Sequence, residues 1–182
     1  MIISAVSALI ATLHTGRTMT ALVQQNERLV RANSTPILEF GHANSRDDGS
    51  PSIEFVLRNV GTGPARIAWF QLTVDGKPTS HMSAVIDLLH PDLADRPSVL
   101  VAPVGKHIFA AGTRHSFFRW TKPPPGSGDL VSAWTRLDQA RFSRIAVEAC
   151  YCSIFEECWT SKLNGEAPTL SPACPQEKRV SL

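Results

Sequence analysis

"SIEFVLRNVGTGPARIAWFQLTVDGK", residues Ser52–Lys77, holds two runs of alternating side chains joined by a turn rich in Gly and Pro. In the first run Ile53, Phe55 and Leu57 share one face, and Glu54, Val56 and Arg58 share the other. That period of two belongs to a β-strand. The second run ends at Asp75-Gly76, a pair that tolerates positive φ at both positions of a tight hairpin. Between the runs, Asn59 follows the last apolar residue, and Gly61 and Gly63 are expected to supply positive φ. Pro64 fixes the direction of exit, and Ala65 leaves room for close packing.

The same period continues on both sides. "PILEFGHA" (36–43) precedes it; "SVLVAPV" (98–104), "HIFAA" (107–111), "HSFFRWT" (115–121), "RIAVEACYCS" (144–153) and "ECWTSKL" (157–163) follow. Seven or eight short strands bounded by Gly and Pro predict an antiparallel β-sandwich over residues 36–163. Ile53, Phe55, Leu57, Ile67, Trp69, Phe117 and Val147 are its expected inward residues. Two helical insertions are expected. Ser80–Leu89 carries Met82, Val85, Ile86 and Leu89, and Asp129–Leu137 opens at a candidate Asp cap. Residues 164–182 read as a C-terminal tail. The pattern is therefore mainly β, an antiparallel β-sandwich with an N-terminal helix and one or two short helical insertions; its immunoglobulin-like character is what a resemblance given below implies.

Residues 1–35 differ in kind. "MIISAVSALIATL" has no charged side chain, and the first charge is Arg17. With no proline before Pro36, the stretch can be one helix that Pro36 stops. Thirteen apolar or small residues span about 20 Å, against about 30 Å for a bilayer core. A signal peptide lacks support, because neither a charged start nor a small-x-small cleavage site is evident. Packing on the domain through Ile2, Val6, Leu9 and Leu13 is a second reading. The favoured one is a single-pass membrane anchor, with Arg17 snorkelling and Gln24–Arg31 forming a polar stalk.

Cys150, Cys152 and Cys158 crowd into nine positions, and Cys174 sits between prolines in the tail. On a strand, Cys150 and Cys152 point to the same face. If residues 145–153 and 157–163 pair as a hairpin, Cys152 can reach Cys158, which leaves Cys150 for Cys174. Four cysteines allow three pairings, and spacing does not choose among them. Zinc is the rival, but C-x-C on a strand with one distant partner fits zinc spacing poorly. A catalytic thiol is disfavoured by Glu148, Glu156 and Glu157, since carboxylates raise a thiol's pKa. Disulfides imply an oxidising compartment, and hence an extracytoplasmic body. Arg17, Arg28 and Arg31 oppose this, because positive charge after the apolar stretch favours a cytoplasmic body. The cysteine cluster is given the greater weight.

The stretch "LRNVGTGPARI" (57–67) resembles the NxGxGPA turn of immunoglobulin-like sandwich domains in uncharacterised bacterial membrane-anchored envelope proteins. "AAGTRHSFF" (110–118) and the CYCSxxxxCW hairpin are similar to elements of the same group. The resemblance implies a fold and an N-terminal helix; its motifs are turn chemistry and imply no reaction.

The 182 residues are 43% hydrophobic and 19% charged with net charge +2, which suits one globular domain and no basic stripe. Arg136, Arg141 and Arg144 form the nearest thing to a basic patch and read as a solvated face. Nucleic acid is therefore not an expected partner. No nucleotide-binding, nucleophile-elbow or metal-spaced His motif occurs, so no catalytic, cofactor-binding or metal residue is assigned and no cofactor is expected. Trp69, Trp120, Trp134 and Trp159 read as core residues ahead of sugar-stacking platforms. The leading expectation is a non-enzymatic, membrane-anchored interaction or assembly module with a protein partner. A carbohydrate-type binding sandwich is the alternative, and a Cys-based enzyme or zinc-binding domain ranks third.

Overall fold

A computed structural model describes residues 2–45, 49–79, 81–105 and 107–174, with side chains from Thr12 onward (that of Ser45 excepted). Ser80 and the acidic pair Asp47-Asp48 lie outside the described residues. The chain begins with α1 (Ile2–Ala32) and continues as β1 (Leu38–Ser45), β2 (Ser52–Asn59), β3 (Ala65–Val74) and β4 (Lys77–Pro78). Next come α2 (Ala84–Leu89), β5 (Leu100–Val101), β6 (Ile108–Phe109), β7 (Arg114–Thr121) and α3 (Asp129–Ala140). It ends with β8 (Ile145–Cys152), β9 (Cys158–Ser161) and β10 (Thr169–Ser171).

The strands form two antiparallel sheets, as the alternation predicts. One runs β1-β2-β7-β5; the other runs β10-β9-β8-β3-β4, with β6 also on β3. Aromatic side chains join the sheets: Phe70 of β3 meets Phe117 of β7 edge to face at 5.3 Å. Ile53, Phe55, Leu57, Ile67, Leu72, Val147 and Tyr151 complete this core. The Asp75-Gly76 hairpin forms as expected, with φ of 51° and 76°.

Two bulges decide which side chains reach the core. In β7 Phe118 pairs with Phe55 and Ser116 with Val56, so Phe117 is an extra residue. Two successive phenylalanines are thereby both buried, which strict alternation forbids. In β3 a shift between Ile67 and Trp69 leaves Ala68 extra. Trp69 then pairs with Cys150, on the opposite face of the sheet from Phe70 and Leu72. The expectation that Trp69 points between the sheets is corrected. It is buried, but against the cysteine-bearing face.

Other expectations also shift. Within the expected C-terminal tail, Thr169–Ser171 adds β10 to the open edge of β9. α2 starts at Ala84, and three helical turns of α3 reach Ala140, past the expected Leu137. Asp129 is not the cap: Gly128, at φ 54°, holds that position. Both short helices close the sandwich, with Val85, Ile86, Ala133, Trp134 and Leu137 in the core. The indole N–H of Trp134 donates to the Trp120 carbonyl at 3.1 Å. Among the described residues no helix is long and apolar enough to cross a membrane, so the transmembrane expectation finds no support in α1.

Candidate functional site

The Asn-x-Gly-x-Gly turn and the Cys152–Cys158 hairpin meet at one place, the base of α1. The helix frays through hydrogen bonds from Asn33 N to Leu29 O and from Ser34 N to Arg31 O. The linker 33–37 then runs under the turn between β2 and β3. Thr62 N and Gly63 N both donate to Thr35 O, at 3.0 and 3.2 Å, and Val60 N donates to Ile37 O at 2.8 Å. The Thr62 hydroxyl reaches Ala32 O at 3.2 Å.

Asn59 is the centre of this socket. Its Oδ1 accepts from Ile37 N and from Gly61 N, at 3.3 and 3.1 Å. Its Nδ2 donates to Gly63 O at 2.8 Å and to Phe109 O at 3.0 Å. The side chain thus ties together the linker, the turn and β6, and it is 1% exposed. An aspartate could make only the accepting half. Asn59→Ala is expected to cost about 2–3 kcal/mol, because buried backbone groups lose their partners. Asn59→Asp should recover little of that, and urea melts of the three proteins check it.

The glycines act here, but not as expected. Neither Gly61 nor Gly63 lies at positive φ. What each lacks is room. A Cβ on Gly61 would lie 2.5 Å from Thr35 O, and one on Gly63 would collide with the Ser34 carbonyl group. The spacing Asn-x-Gly-x-Gly-Pro-Ala is therefore a seat for the linker rather than a left-handed turn. Pro64 and the buried Ala65 lead from it into β3.

The cysteine hairpin forms the socket's other wall. Cys152 and Cys158 are cross-strand partners of β8 and β9 and are disulfide-bonded. Cys150 is bonded to Cys174, which ties the tail to β8. This is the pairing that the hairpin arrangement predicts. Cys152 Sγ lies 3.8 Å from Cys174 Sγ, so the two bonds touch. Although Cys152, Cys158 and Cys174 cluster within 4.8 Å, sulfurs bonded to one another are not thiolates and offer no metal ligands in this state. The connecting loop is closed by Ser153 N to Glu157 O at 2.8 Å. It presents Glu157 to Arg31 at 2.6 Å, while the Arg31 guanidinium lies 6.0 Å from the Phe155 ring centre. Ile154 and Phe155 stay exposed at the tip, 62% and 41%.

Glu54, Arg141 and Arg144, away from the socket, have structural partners. Glu54 is 2% exposed on the outer face of its sheet and is held by Arg114 and by Arg119. Burial pushes its carboxyl pKa up, but the Ser116 hydroxyl and the two guanidinium groups outweigh that and hold it below the ordinary range. A carboxylate with a depressed folded-state pKa contributes stability above the unfolded value and loses it as pH falls through the folded one. Acid denaturation of the wild type should therefore be steeper than that of Glu54→Gln below about pH 4.5. Arg141 is buried against Asp138 and His42, and Arg144 pairs with Asp75, so the arginine group is not a free basic face. Burial, then Arg141, lowers the pKa of His42. Ser83 Oγ and Ala84 N both contact His81 Nδ1, at 2.9 and 3.1 Å, so His81 supports the first turn of α2, whose N-cap is Ser83.

Trp69, Trp120 and Trp134 are buried, and Trp159 is partly buried against the core. A depression of about 440 Å³ is lined by Ala94, Asp95 and residues 126–130; it contains no aromatic side chain. The fold and site define a disulfide-bonded β-sandwich with a helix socketed at one end. No protein-family model, curated protein or solved structure matches the chain.

Proposed function

We propose that this protein is a non-enzymatic interaction or assembly module, attached to a membrane by the apolar end of α1, with its sandwich outside the cytoplasm. The observation that carries the reading is the socket. Asn59, Gly61, Gly63 and the cysteine hairpin together fix the helix to the sandwich, the densest set of singled-out residues among the described ones. A module that works by contact needs a fixed relation between its attachment and its binding face. The absence of charge before Arg17 suits an apolar boundary, and the two disulfides suit an oxidising compartment. Because no described helix can span a bilayer, the proposed attachment is by insertion of the apolar end. The exposed hairpin tip, Ile154 and Phe155, is the part of the sandwich that we assign to a protein partner.

The test has two readouts. In fractionated cells the chain should stay with membranes in high salt and be released by detergent. A photo-crosslinking residue in place of Ile154 should capture a second protein, whereas one in place of exposed Lys77 should not. A salt-extractable chain removes the membrane, and equal capture at both positions removes the interaction face.

A further inference from the structure

We propose that α1 pairs with the α1 of a second copy of this chain as a parallel, in-register coiled coil over residues 12–32. The proposal rests on the interaction-module reading and supplies one partner for it. α1 is a rod of about 46 Å that, among the described residues, touches the sandwich at its base. Along its described length every side chain from Thr12 to Ala32 is exposed, including Met19 at 61%, Leu22 at 55% and Leu29 at 56%. Exposed leucines along an unpartnered helix call for a cover.

The sequence says what kind of cover. In a heptad register that places Met19 and Asn26 at a, Leu22 and Leu29 fall at d and Val23 and Val30 flank them at e, while Thr12 and Thr15 take a and d of the first heptad, so the apolar seam runs from Met19 to Val30. In this register Arg17, Glu27, Arg28 and Arg31 all fall at b, c or f. No charge faces the seam, and the g positions Thr18 and Gln25 put no like charges across it. Asn26 is polar at an a position, where two copies can hydrogen-bond only to each other, which fixes register at some cost in stability. A self-complementary seam of this kind selects a second copy of the same helix over an unrelated surface.

The socket orients the seam. Arg31 occupies an f position and is the residue that binds Glu157 and faces Phe155. Position f lies opposite the a/d seam, so the seam of each helix points away from its own sandwich. Parallel pairing follows from the proposed attachment, since both apolar ends must enter the same membrane.

The test uses the full chain in membranes of expressing cells. A photo-crosslinking residue replacing Leu22 should give covalent dimers, and one replacing Gln24, at f, should not. In detergent solution the protein mass should be twice 19.8 kDa for the wild type and 19.8 kDa for Leu22→Glu/Leu29→Glu. The thermal transition of the sandwich should be unchanged, because both residues lie outside its core. A monomeric wild type, a dimer that survives the double substitution, or equal cross-linking at 22 and 24 overturns the pairing. Each of these leaves the sandwich reading standing, because that reading is scored by salt extraction and by capture at position 154.

Discussion

Gly63→Val is expected to lower the stability of the protein by at least about 3 kcal/mol, with Gly63→Ala close behind. Overpacking a well-filled site commonly costs about 1–3 kcal/mol, and more when the neighbour is backbone that has no other rotamer to adopt. Here the neighbour is the Ser34 carbonyl group, part of a linker held by Thr62 N, Gly63 N and Asn59. Relief requires the linker to leave its seat, and leaving it gives up those hydrogen bonds at about 1 kcal/mol each. Two controls separate collision from backbone conformation. Gly63→Asn, which tolerates positive φ, should be no better than Gly63→Ala. Gly76→Ala, at φ 76° in open space, should cost only about 1 kcal/mol. Guanidinium melts of the four variants supply the comparison. An alanine at 63 that is as harmless as one at 76 would show that the linker is not seated as described.

Removing the tail disulfide should be comparably severe. The Cys150–Cys174 bond closes a loop with sequence separation 24, and the chain-entropy relation gives it about 3–4 kcal/mol. The Cys152–Cys158 bond, at separation 6, should contribute about 2 kcal/mol. Cys150→Ala/Cys174→Ala is thus expected to cost more than Cys152→Ala/Cys158→Ala, although the second pair sits nearer the socket. The first variant should also free β10 from β9, because Cys174 is the tether just beyond Ser171. Hydrogen exchange at residues 169–171 reads that directly. Blocking free thiols before lysis, followed by mass spectrometry under non-reducing conditions, gives the oxidation state in the native compartment. Four blocked thiols would place the sandwich in a reducing one.

The strands were legible because burial on a sheet face imposes period two, and β2, β3, β7 and β8 obey it over most of their length. Legibility failed where one residue was added. Nothing local marks Ala68 or Phe117 as extra, since a bulge is settled by the partner strand. Trp69 therefore went to the wrong face, and "FF" hid the fact that both rings are buried. The glycine motif was visible, yet its reason was not. Positive φ is a property of one residue, whereas a close approach depends on Ser34 and Thr35, far away in the chain. β10 was missed for a similar cause: Thr169–Ser171 is strand because β9 offers an open edge and Cys174 holds it there. The hairpin disulfide was readable because both cysteines and their spacer lie within seven residues.

The socket also sets an order of events during biosynthesis. Its walls come from residues 31–37, 59–63 and 155–157, and the ion pair from Arg31 to Glu157 joins residues 126 apart in sequence. A chain made from its N-terminus exposes α1 before the hairpin and completes the socket only when the hairpin emerges. Until then the helix and the growing sandwich are joined by a loose tether, free to turn relative to each other. The direction in which the sandwich faces is decided late, in a single closing step, after the helix has already found its surroundings.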